Sequence, residues 1–204
     1  MKIRTRHGVA IALVALAAAV MLAGALPSSA SNGAKAAKHV RWDIISLVGG
    51  AFPGPINPGG IASAKAPDGD TITLTGSGTF VAPAGKSRGR GAATGGGTWQ
   101  TSTASGTYRV RKLVSFVFAN LQSATPTVVD NIGDVNKRAN GTAVLRIEYS
   151  DGATGVLTVG CHGPGAPPGI FEGIAVTRGF KTYYDVQAPV GGVDANRTIF
   201  HVRR

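Results

Sequence analysis

Apolar and polar residues alternate along most of the chain from residue 40 onward. The clearest case is DTITLTGSGTFVA (70–82), where Ile72 and Leu74 alternate with Thr71, Thr73 and Thr75, the signature of a strand with one buried face. VRWDIISL (40–47), TAVLRIEYS (142–150) and GVLTVGC (155–161) read as strands too. The last two flank DGAT, whose Asp151–Gly152 pair is a strong hairpin signal. GGTWQTSTASGTYRVRKLVSFVFANL (96–121) predicts two strands turning near residues 104–106, and GIFEGIAVTRG, FKTYYDVQ and RTIFHVR supply three more. No helical period competes with this pattern. Roughly eight to ten short strands with short, meander-like connections predict an all-β fold. A single antiparallel β-barrel of about eight strands is the expected form, because closure removes exposed sheet edges; a sandwich is the alternative.

Three connections exceed hairpin length, at 49–60, 83–96 and 122–141; the last has room for a short strand or a turn of helix. A weak internal echo links GSGTF (76–80), GGGTW (95–99) and, loosely, PGIFEG (168–173). Glycine permits tight bends and close strand approach while the aromatic fills the space beneath, so these read as repeated barrel corners. The Gly-Thr-aromatic strands, together with IFEGIAVTRGF running into KTYYDV, resemble the barrel of dirigent and allene oxide cyclase proteins. That resemblance implies an eight-stranded closed barrel whose mouth accepts a hydrophobic or phenolic molecule, and no catalytic residue of those families carries over. The layout also looks like that of small exported bacterial proteins.

The N-terminus changes the picture of compartment. Lys2, Arg4 and Arg6 precede an apolar run from Gly8 to Leu26, then Pro27 and SSASN, the three parts of a secretory signal peptide cleaved after Ala30. Residues 1–30 are thus expected to be a signal, 31–39 a flexible lead and 40–204 the barrel. The protein is expected to be secreted, periplasmic or envelope-associated, with no membrane span after cleavage. A retained anchor is the rival reading. The net charge of +11 falls to +8 once those three leader cations are removed. A basic exported protein adheres to anionic polymers without needing a specific site. One cysteine permits no internal disulfide, so stability rests on the core.

Candidate chemistry is sparse. Cys161 and His162 are adjacent, so on a strand they face opposite sides and cannot pair; a base would have to be His39 or His201. Cys161 reads as a buried strand residue, and GPGAPPG after it as a stiff turn. No cofactor or metal is expected. Asp130, Asp134 and Asn136 share their loop with Lys137 and Arg138, whereas a calcium site wants surplus negative charge. Among carboxylates, Glu148 and Glu172 fall on predicted strands and Asp43 sits beside Trp42. Arg146 and Glu148 share a face and read as an ion pair. Should that face line the interior, the pair would hold a ligand. Glu172 has Ile170 and Phe171 for neighbours; burial there would raise its pKa, which the sequence alone does not give. Arg146, Glu148 and Glu172 are therefore the candidate ligand-binding residues. In YRVRKLVSFVF (108–118), Arg109 and Arg111 share one face, Tyr108, Val110 and Lys112 the other, and Phe116 and Phe118 continue into the core. This reads as a barrel strand, not a nucleic-acid platform. NGT (140–142) and NRT (196–198) match the glycosylation acceptor pattern.

The expected function is a non-catalytic exported barrel that binds a small hydrophobic molecule or an anionic surface polymer. Its ligand would enter at a barrel mouth between the 49–60 and 83–96 loops. A barrel enzyme of the cyclase or isomerase type, acting on a hydrophobic small molecule, is the alternative.

Overall fold

The computed structural model describes residues 38–47, 54–85, 91–124, 127–186 and 196–203. The expected signal and most of the lead, together with 49–53 and 86–90 of the two expected rim loops, lie outside them.

The described residues form thirteen strands: β1 (Lys38–Leu47), β2 (Ile56–Pro58), β3 (Ala62–Lys65), β4 (Thr71–Leu74), β5 (Ser77–Ala82), β6 (Ala93–Gln100), β7 (Ser105–Leu121), β8 (Arg138–Tyr149), β9 (Thr154–Cys161), β10 (Gly173–Arg178), β11 (Lys181–Tyr183), β12 (Asp185–Val186) and β13 (Arg197–Arg203). The fold is an all-β antiparallel barrel. Six strands close it, each hydrogen-bonded to the next in the order β1, β5, β6, β7, β8, β13 and back to β1. The pattern alone suggested about eight in the closed circuit. The difference arises because β9–β10–β11 branch from β8 and β4–β3–β12 branch from β6. The 122–141 connection carries a single 3₁₀ turn at Val135–Lys137, capped by the Asp134 carboxylate. Among the described residues no helix is long and apolar enough to cross a membrane.

Period-two alternation fills the interior. Val40, Trp42 and Ile44 of β1, Ala143, Leu145 and Ile147 of β8, and Phe200 and Val202 of β13 belong to one buried cluster. Phe80, Phe116 and Phe200 meet edge to face at 5.0–6.3 Å between ring centres, contacts worth about 0.5–1.5 kcal/mol each beyond burial. The echoed GSGTF and GGGTW segments lie on neighbouring strands, with Gly78 opposite Gly95. A β-carbon on Gly78 would fall 2.1 Å from the Thr94 carbonyl oxygen and 2.8 Å from Trp42 Nε1. Close approach over a tryptophan explains the glycines.

The odd-numbered residues of β1 and β13 face outward, and Ile45, Leu47 and Ile199 form a second apolar cluster with Ile56 and Val128. Beside it, His201 Nε2 lies 2.8 Å from the Asp130 carboxylate, the two side chains only 5% and 0% exposed.

Lys112 does not share the inward face of Tyr108 and Val110, contrary to expectation. β7 carries bulges between Val110 and Lys112, Leu113 and Ser115, and Phe118 and Asn120. The first turns Lys112 outward with Arg109 and Arg111, away from the inward Val110. An extra residue in the strand resets the alternation on which the sequence reading relied. Phe116 and Phe118 pack against the core as expected.

Candidate functional site

β8 changes neighbours along one edge. Arg138 and Ala139 pair with β13, whereas Gly141 onward pairs with β9. Between them β9 and β13 diverge, and the backbone groups in that fork lose their ladder partners. Such groups must find others when buried. Side chains supply them. The Glu172 carboxylate accepts from the Thr198 backbone N–H at 2.7 Å and from the His162 backbone N–H. The Thr198 hydroxyl donates to the Gly160 carbonyl at 2.6 Å.

Glu172 does not sit on a strand, contrary to expectation. Gly173, with φ of 106°, breaks the extended run, and β10 starts there. This leaves Glu172 at the end of the loop that begins at His162. The loop is pinned from several sides. His162 Nδ1 donates to the Ile170 carbonyl at 2.7 Å. Asn140 accepts from the Gly163 N–H at 2.8 Å and donates to the Asn120 carboxamide oxygen at 3.0 Å. Asn120 in turn reaches the Gly165 carbonyl at 2.7 Å. The turn expected from GPGAPPG is therefore a held loop.

A cleft of about 380 Å³ opens between this loop and the fork. Ile45, Leu47, Ile56 and Ile199 give it an apolar side, while His162, Glu172, Arg197 and Thr198 give it a polar one. Burial, opposed by the Thr198 and His162 N–H groups and by Arg197, pushes the Glu172 pKa up to about 7. The Arg197 Nε is buried and has no hydrogen-bond partner. The site thus combines an acid poised near neutrality, a guanidinium and an aliphatic wall.

Cys161 also reaches this cleft but is 1% exposed. Burial pushes its thiol well above the ordinary value, and the Gln122 amide points at the sulfur from 3.3 Å. Of the two histidines the sequence offered as its base, His201 is bonded to Asp130 and His39 is exposed on β1. His162 is exposed just past the end of β9, on the loop.

The other two candidate residues lie elsewhere. Arg146 is exposed on the outer face of β8. Glu148, also on that face, pairs with Arg109 and Arg111 of β7 at 2.7 and 2.6 Å, not with Arg146. The guanidinium donors of Arg109 and then Arg111 hold its carboxyl below the usual range. The structure does not bring Arg146 and Glu148 together with Glu172. Sequence reasoning missed Arg197, Thr198 and the outward isoleucines. They join Glu172 only through the long-range choice of β8's neighbours, which local patterning does not carry.

The acids of the 122–141 loop are engaged internally. Asp130 binds His201 and accepts from the Ile132 and Gly133 N–H groups at 2.9 and 3.0 Å. Both asparagines of the acceptor patterns, Asn140 and Asn196, are buried.

Comparison with protein-family models, with curated proteins and with solved structures gives no match to this chain.

Proposed function

We propose that this chain is an exported, non-catalytic barrel that binds a small amphipathic molecule in the cleft beside β13. The carrying observation is the union of an aliphatic wall with a half-buried acid and a guanidinium in one opening of about 380 Å³. That size and mixture suit a small ligand, whose apolar body is held by burial and whose head is oriented by a few polar groups. In this reading the ligand's hydrocarbon lies along Ile45, Ile56 and Ile199, and its polar end meets Arg197 and Glu172. The interior is filled by Trp42, Trp99, Phe80 and Phe200, all 2% exposed or less, which favours the external cleft over a barrel mouth.

The test is native mass spectrometry of the protein purified from its own host, joined to titration with anilinonaphthalene sulfonate. Ala166, on the held loop, lines the cleft, and Ala166→Trp would fill it. An extra mass lost on denaturation, and dye binding abolished by the substitution, are the expected results. An apo mass together with dye binding unchanged by Ala166→Trp would overturn the proposal.

A second reading has one observation in its favour. A carboxyl pushed up to about 7 is suited to proton transfer near neutral pH, as an isomerase or cyclase would use. That reading requires Glu172→Gln to abolish turnover while ligand retention survives; unchanged turnover would exclude it.

A further inference from the structure

The bulge at Arg111 concentrates charge. With Arg111 as the extra residue, Arg109, Arg111 and Lys112 all project from the outer face of β7, and Lys112 stands directly opposite Arg146 of β8. Residues paired in this way have side chains about 5 Å apart, and like charges there are destabilising. Four cations thus surround a single carboxylate, Glu148. That carboxylate engages Arg109 and Arg111, whose side chains remain 61% and 43% exposed. No acid pairs with Lys112 or Arg146 among the described residues. A bulge costs ladder hydrogen bonds, and this one adds no apolar group to the core. Its effect is to gather the cations.

We propose that this face of β7 and β8 is a docking surface for a linear phosphate polymer that carries no bases. Three of the four cations are arginines, whose planar forks match phosphate oxygens in pairs. Glu148 holds two of these forks in place and leaves their outward N–H groups for the polymer. Bound phosphates relieve the repulsion between Lys112 and Arg146. The patch is a pleated sheet face without an aromatic side chain of its own, so it offers no platform for stacking bases. The inference is independent of the cleft, which lies at the other end of β9.

The experiment titrates the full chain with long-chain inorganic polyphosphate over a range of salt concentrations. Lys112→Thr/Arg146→Thr is compared with a charge-matched control, Lys137→Thr/Arg203→Thr, whose residues are exposed elsewhere. Four contacts give a slope of log affinity against log salt of about −3, and removing two halves it, at about −0.7 per phosphate. The patch variant should bind at least about ten-fold more weakly, while the control stays close to the wild type. The patch variant should also unfold at the same denaturant concentration as the wild type or higher, which separates lost docking from lost folding. Equal losses in both variants would assign binding to diffuse charge and overturn the proposal, as would no loss in either. Tighter binding of oligothymidylate than of polyphosphate, at equal phosphate, would overturn the base-free assignment.

Discussion

Glu172 makes the stability of the barrel depend on pH in a direction opposite to most acids. Its folded pKa is raised from the ordinary 4.5 to about 7, so the folded protein holds the proton more tightly than the unfolded chain does. The contribution is fully present below about pH 4.5 and is lost as pH rises through about 7. At 1.36 kcal/mol per unit the shift corresponds to about 3 kcal/mol at most, since the cleft leaves the residue partly exposed. In Glu172→Gln the amide accepts from only one of the Thr198 and His162 N–H groups and turns its own donor toward the other, a cost of about 1–3 kcal/mol. Urea unfolding followed by the fluorescence of buried Trp42 and Trp99 would measure both proteins between pH 4.5 and 8. The gap favouring the wild type at low pH should close as pH rises, because only the wild type loses the Glu172 contribution. A gap that stays constant across this range would refute a titrating Glu172.

Three other outcomes follow from single contacts. His201→Ala strands the buried Asp130 carboxylate and should destabilise the fold by about 3–5 kcal/mol, visible as a lower urea midpoint; a change under about 1 kcal/mol would mean the pair is not buried as a unit. Cys161 should resist a thiol reagent in the native state and react on unfolding, so labelling kinetics that track urea unfolding are expected. Asn140 and Asn196 are spent on internal contacts, so the protein folded before exposure to a glycosylating system should keep its unmodified mass.

The hairpin expected around Asp151–Gly152 is present, with β8 and β9 on either side, because turn chemistry and alternation there agree. The turn in 96–121 also falls close to expectation, between Gln100 and Ser105. What failed did so for a physical reason. Lys112 lies on the face opposite to the one alternation predicts because a bulge leaves no mark in composition, and Glu172 falls short of its expected strand because only the backbone angle of Gly173 ends it. Glu172 was a candidate from its apolar neighbours alone. Its partners were not legible, since they depend on where β8 exchanges β13 for β9, and the β8–β13 pairing joins residues more than sixty positions apart.

The first and last described strands close the barrel against each other, from His39 opposite Arg203 to Ile45 opposite Arg197. Because they run antiparallel, residues 38 and 203 emerge side by side at the same end. A pulling force applied through these two points would load the hydrogen bonds one pair at a time, as a zip is opened, and not all together in shear. The barrel is densely packed, yet it is mechanically weakest along the line joining residues 38 and 203. A short linker across that gap would turn the seam into a continuous hairpin and remove the weakness.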